Sequence, residues 1–263
     1  MADKSKIEWT DATWNPMTGC TPKSAGCDNC YARRMAERFK MDFWPTFHMN
    51  RLDIPSRWRK PRRVFVCSMS DLFHQQFTDD EIRWIFDEMS LCEQHTFIVL
   101  TKRPARMKAW LEWAGTHRGI DGFPEWPLPN VWLGVTAENQ ATADERIPVL
   151  LECPAAKRFV SIEPMLEPID LSGFLSGPYV GLPGDRIIEN WNAGIDWIIC
   201  GGETGPGARC MAPGWVQVIS DLCKDAGVPF FFKKPGDVEK KLSCWTDPQY
   251  ADVFRREWPE VSR

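Results

Sequence analysis

Past residue 60 the chain repeats one pattern: a short continuous apolar run, a polar residue, then a stretch with apolar positions at helical spacing. The runs occupy 64–69, 97–101, 131–136, 159–162, 197–200 and 228–232. Such runs, rich in Val, Ile and Phe, suit strands covered on both faces, as in parallel sheets. Pro229 fits only the beginning of the last run or an edge. Between the runs, Thr78-Asp79-Asp80-Glu81 reads as a capping box, with Ile82, Ile85, Phe86 and Met89 following at helical spacing. Further helices are predicted over 104–114, 141–151 and 213–226, the last closed by Gly227. Near the N-terminus, 7–10 supplies a seventh strand, followed by a long loop and a helix from about Asn29 to Lys40. Strands alternating with helices predict βαβ crossovers and a parallel α/β sheet of six to seven strands, open or curled into a TIM-like (β/α) barrel. The Gly- and Pro-rich segments near 115–129 and 172–192 break the rhythm and read as insertions, so 1–263 is expected to be one domain.

Composition changes this picture little. Hydrophobic residues make up 43% and charged residues 26%, ordinary for a globular chain. The net charge of −4 argues against a surface that coats nucleic acid throughout. Local charge differs: Arg57-Trp58-Arg59-Lys60-Pro61-Arg62-Arg63 sets five cations around a Trp, a run suited to phosphates with Trp58 stacked on a base, or simply to a solvated loop. No apolar stretch is long enough to span a membrane, and the first residues lack the apolar core of a signal peptide. Ten Cys in that setting read as reduced thiols or metal ligands, and the expected compartment is the cytoplasm.

Barrel active sites gather where parallel strands end. Here those ends carry Ser68, Ser70 and Asp71, then Lys102, Glu138, Glu163, Gly201-Gly202-Glu203 and Lys233-Lys234. Each carboxylate alone would serve as a helix cap. Repeated at one rim, Lys102, Glu138, Glu163, Glu203 and Lys233 become candidate catalytic residues. Gly201 and Gly202 would let backbone N–H groups approach a carboxylate or phosphate.

The most specific motif is the loop 15–31, where Cys20, Cys27 and Cys30 stand in a C-x6-C-x2-C arrangement. Two sulfurs at a helix start grip a metal well, because the helix N-terminus favours thiolate. Structural zinc wants a fourth ligand, which His48 could supply from well downstream in an aromatic stretch, where a lone His more often packs or hydrogen-bonds. A [4Fe–4S] cluster held by three Cys keeps one iron open. An open iron is what reductive cleavage of S-adenosylmethionine (SAM) requires, since the methionyl amine and carboxylate chelate it. The remaining cysteines are scattered singly, and Cys67, Cys92, Cys200 and Cys223 read as small core residues.

The segments Trp14-Asn15-Pro16, Gly19-Cys20 and Gly26-Cys27-Asp28-Asn29-Cys30-Tyr31-Ala32 resemble the phage-associated three-Cys-motif proteins, a radical-SAM-like family of phages, prophages and bacteria. The resemblance continues through 68–73, 100–104, 132–136, 161–164 and 201–205. It implies a partial barrel of the radical-SAM type, a [4Fe–4S] cluster on Cys20, Cys27 and Cys30, and SAM across the strand ends. The wider superfamily uses C-x3-C-x2-C, from which this loop departs by its longer first spacing. By the same resemblance Ser68, Ser70 and Asp71 would meet the methionyl or ribose part of SAM, and Tyr31 would lie near adenine. A nucleotide, nucleobase or nucleic-acid substrate, an electron donor and a three-Cys-motif partner protein are the implied partners. The setting would be a bacterial or phage-infected cell. The competing expectation is a zinc-stabilised nucleic-acid-binding protein without SAM chemistry.

Overall fold

The computed structural model describes residues 5–117, 126–175, 194–237, 245 and 247–260. The expected insertions near 115–129 and 172–192 fall largely outside them. The architecture is α/β, with seven parallel strands separated by helices, each strand pairing in chain order within its unit. The chain groups into two compact units, residues 1–135 with 152–156, and 136–151 with 157–263.

In the first unit β1 (Ala12–Trp14) lies beside β4 (Arg63–Val66), then β5 (Thr96–Thr101) and β6 (Val131–Thr136). Val64, Phe97, Ile98, Val99 and Leu133 are buried, as expected of strands covered on both faces. A two-stranded antiparallel ribbon, β2 (Met17–Thr18) with β3 (Thr46–Phe47), brackets the cysteine loop and α1 (Tyr31–Arg38). Helices α2 (Asp79–Leu91) and α3 (Pro104–Thr116) follow β4 and β5. In the second unit α4 (Gln140–Leu151) precedes β7 (Lys157–Ile162). Strand β7 pairs with β8 (Trp197–Cys200), and β8 with β9 (Phe230–Phe232). The short α5 (Ser172–Leu175) and the longer α6 (Pro213–Ala226) complete it, and Gly227 caps α6 at φ +67°. Arg256 pairs antiparallel with Phe231, so a later segment covers the outer side of β9. Among the described residues no helix is long and apolar enough to cross a membrane.

The capping box forms as expected: Thr78 Oγ1 accepts from Glu81 N–H at 3.2 Å, and Glu81 accepts from Thr78 N–H at 2.9 Å. Thr78→Ala is therefore expected to cost about 1 kcal/mol in chemical denaturation. Three expectations are corrected. Residues 7–10 form a turn closed by Thr10 N–H on the Ile7 carbonyl at 3.0 Å, and the first strand lies at Ala12–Trp14. The run 64–69 stops as a strand at Val66, because Cys67 turns to φ +57° with its N–H on the Trp14 carbonyl. Trp58 offers no free face to a base: it is buried, edge-on to His95, with the Arg62 guanidinium 4.8 Å over its ring.

Candidate functional site

The cysteine loop belongs to the first unit and is tied to the ends of β4 and β5. Gly19 N–H donates to the Met69 carbonyl at 2.9 Å, and Ser70 Oγ donates back to the Gly19 carbonyl at 2.6 Å. Gly19 adopts φ +83°, and a Cβ there would stand 2.1 Å from the Trp44 carbonyl oxygen, so only glycine lets the two segments meet. The loop then makes a single 3-10 turn at Ala25–Cys27, and Cys30 takes the N-cap position of α1. All three thiols are partly exposed.

Arg103, at the N-cap of α3, anchors the loop's first cysteine. Its Nη1 lies 3.6 Å from Cys20 Sγ and 3.0 Å from Asp71 Oδ2. Its Nη2 donates to the Thr21 carbonyl at 2.9 Å. Asp71 is buried and satisfied by further donors: Phe73 N–H at 3.0 Å, the Thr101 hydroxyl at 2.7 Å and Lys102 N–H at 3.0 Å. His74 Nδ1 accepts from Gln76 N–H at 3.2 Å, which leaves the ring proton on Nε2, 2.8 Å from Thr21 Oγ1. Burial and the nearby Arg103 charge keep that ring below the usual histidine range. Burial, reinforced by the Asp71 charge and opposed by Arg103, pushes the Cys20 thiol up to about 11. Cys20 is thus protonated at neutral pH, and a metal must displace that proton to bind there.

The residues expected to touch SAM hold the chain together around this loop. Tyr31 Oη donates to the Ser68 carbonyl. Ser68 Oγ donates to Asn15 Oδ1 at 3.1 Å, which also accepts from Met69 N–H at 2.9 Å. The donor chemistry fits a thiolate-bound metal, because Cys20 Sγ faces a guanidinium and Cys27 Sγ accepts the Lys23 N–H at 3.4 Å. The sulfurs as they stand are not drawn into a closed ligand set: no three His, Cys, Asp or Glu among the described residues form a group that holds a metal. His48, the candidate fourth zinc ligand, has its Nε2 2.7 Å from Thr18 Oγ1.

In the second unit each acidic strand-end residue meets a base. Glu138 is wholly buried, with Oε2 3.0 Å from Arg146 Nη1, which also donates to the Thr136 carbonyl at 2.8 Å. Glu203 takes Arg209 through two side-chain bonds, of 2.9 and 2.6 Å, and also accepts the Arg209 N–H. Glu163 Oε1 lies 2.9 Å from Lys233 Nζ, and both side chains keep some exposure, 16% and 25%. Gly201 makes room for that carboxylate, since a Cβ would sit 2.8 Å from Glu163 Oε1. Gly202 serves backbone packing: a Cβ would stand 2.3 Å from Gly236 N, and its own N–H donates to the Lys234 carbonyl at 3.1 Å.

Cys20, Ser70, Asp71 and Lys102 thus share one network, and Glu163, Gly201 and Lys233 share another. Glu138 and Glu203 each stand with their own arginine. Sequence reasoning missed Asn15, Thr21, His74, Arg103 and Arg146. The signal for Arg103 was its place immediately before the helix-starting Pro104, where a side chain lies at the strand end.

Fold and site define an α/β protein with a cysteine loop fastened where parallel strands end. Within that class the chain belongs to the family described as "Protein of unknown function (DUF5131)", whose model matches residues 4–256. No curated protein and no solved structure matches it.

Proposed function

We propose that the protein is a radical-SAM-type iron–sulfur enzyme with Cys20, Cys27 and Cys30 as the ligands of a [4Fe–4S] cluster. The observation that carries this reading is the pairing of loop sulfurs with N–H donors, Arg103 on Cys20 and the Lys23 amide on Cys27, in a loop tied to the strand ends. The resemblance to the phage-associated three-Cys-motif family supports it, and brings the partial barrel of that fold type and a nucleotide or nucleic-acid substrate. When bound, the cluster would supply the electron that splits SAM to methionine and a 5′-deoxyadenosyl radical.

The chain's own part is positioning. Arg103 would neutralise the thiolate charge at Cys20 once a metal has displaced its proton, and Asp71 fixes Arg103. Glu138 is too deeply buried to touch a substrate and braces α4 through Arg146. Of the acidic strand-end groups, Glu163, paired with Lys233 and partly exposed, is the one suited to meet a polar substrate. Protein purified anaerobically is expected to be brown, with ~4 Fe per chain, and to form 5′-deoxyadenosine from SAM and dithionite. Cys27→Ala should remove both colour and iron. Colourless protein with stoichiometric zinc, binding nucleic acid without turning over SAM, would overturn the proposal in favour of the zinc-stabilised alternative.

A further inference from the structure

The hydrogen-bond ladders of β7, β8 and β9 run one step past the strands, with Gly201 N–H on the Ile162 carbonyl at 3.1 Å and Lys233 N–H on the Cys200 carbonyl at 2.9 Å. Ile162 and Cys200 are in register, and so are Cys200 and Phe232. The residues that follow, Glu163, Gly201 and Lys233, therefore form one row across three strand ends. Gly201 leaves a notch in the middle of that row, and the Glu163 carboxylate lies in it to reach Lys233 Nζ at 2.9 Å. Met165 N–H on the Gly201 carbonyl and Gly202 N–H on the Lys234 carbonyl, each at 3.1 Å, fix the backbone around the row. Neither Glu163 nor Lys233 has another side-chain partner among the described residues. That leaves Glu163 Oε2 as an acceptor beside further N–H donors on Lys233. Ser161, two residues earlier on β7 and so on the same face, has a buried hydroxyl with no partner among the described residues. Folded chains ordinarily satisfy such groups, so this face holds polar capacity that the described residues do not use.

We propose that the Glu163–Gly201–Lys233 row binds the hydrogen-bonding edge of an unpaired nucleobase, whose N–H donates to Glu163 while the adjacent carbonyl or ring nitrogen accepts from Lys233. That occupant specifies which part of the substrate Glu163 meets, and so rests on the enzyme reading above. The pair as a whole is neutral, and Glu163 would repel a phosphate. A sugar diol wants both carboxylate oxygens, one of which Lys233 already takes. A free amino acid would have to strip water from two charges at a pair that is itself still partly wet, 16% and 25% exposed. A base edge carries a donor and an acceptor without net charge. Ordinary bond lengths set the nitrogen and oxygen of an amide edge about 2.2 Å apart, close enough to meet groups that are themselves 2.9 Å apart.

The test uses metal-free full-length protein and nucleosides alone, so it can fail without the cluster reading failing, and the reverse. Uridine, cytidine and N3-methyluridine are titrated by saturation-transfer NMR. Uridine and cytidine should bind, and N3-methyluridine, which lacks the donor, should bind at least about 10-fold more weakly, the scale of one hydrogen bond to a charged group. Lys233→Met should weaken uridine by a similar factor. Gly201→Ala should do the same although it removes no polar group, because its Cβ would meet only the Glu163 side chain, 2.8 Å from Oε1, and push the carboxylate out of the notch. Only the tip of a flexible side chain has to move, so unchanged thermal melting of Gly201→Ala is expected and separates lost binding from lost fold. Absence of uridine binding overturns the proposal, as does binding that both variants retain. Equal binding of N3-methyluridine overturns it by assigning the contact to the sugar, and displacement of uridine by glycine at equal concentration overturns it in favour of an amino acid. Iron content and SAM turnover, measured separately, report on the enzyme reading alone.

Discussion

Asp71→Ala is expected to destabilise the protein by about 3–5 kcal/mol, the range for removing one partner of a buried ion pair. The carboxylate is nearly inaccessible and accepts from Phe73 N–H, the Thr101 hydroxyl, Lys102 N–H and Arg103 Nη1. Alanine would leave the 12%-exposed Arg103 side chain without its counter-charge and three further donors without an acceptor. Asp71→Asn keeps one carbonyl oxygen and loses the charge, so its cost should fall between alanine and wild type. Because Arg103 also holds Thr21 and Cys20, the proposed cluster site predicts that the alanine variant loses iron as well as stability. Urea denaturation followed by Trp fluorescence reads the first effect, and iron analysis the second. A change of under about 1 kcal/mol, the scale of an exposed pair, would show that the network is not the brace inferred here.

Gly19→Ala should produce the other large loss, about 2–5 kcal/mol. Two costs add. At φ +83° an L-residue is disfavoured by about 1–2 kcal/mol. The new Cβ would also lie 2.1 Å from the Trp44 carbonyl oxygen, 2.3 Å from its carbon and 2.7 Å from the Phe43 oxygen. Those are backbone atoms, so no rotamer change relieves the clash, and forced overpacking costs about 1–3 kcal/mol. The two contributions can be separated within the same chain. Gly227 has φ +67° but open space where its Cβ would go, so Gly227→Ala should show the backbone cost alone. If Gly19→Ala costs no more than Gly227→Ala in the same denaturation assay, the steric argument fails.

The elements most legible in the sequence were those whose signal is local and redundant. Strands β6 and β8 match the expected 131–136 and 197–200 residue for residue, because every side chain in them is buried and their apolar runs are continuous. Helix α2 announced itself through a side-chain cap that the sequence spells out, and α6 through its terminal glycine. Residues 7–10 misled because Ile, Trp and Thr suit a strand, yet Thr10 closes a turn with the Ile7 carbonyl and its hydroxyl with Ser5 Oγ at 2.9 Å. The cysteine loop was visible as spacing. Its support was not, since Asn15, His74 and Arg103 act through contacts spanning tens of residues that no periodicity encodes. Lys102 was picked over its neighbour as the strand-end cation, but the guanidinium that reaches Asp71 and Cys20 belongs to Arg103.

An open row of amides at a sheet margin invites strangers to extend it, which is how native sheets begin to polymerise. In the second unit that position is taken by the chain itself. Phe232 N–H donates to the Arg255 carbonyl at 2.8 Å, and Glu257 N–H to the Phe230 carbonyl at 3.0 Å. Three consecutive phenylalanines, Phe230–Phe232, would otherwise make one of the stickiest templates the chain could offer. Their occupied margin lets so greasy a strand exist at high concentration without recruiting its neighbours into fibres.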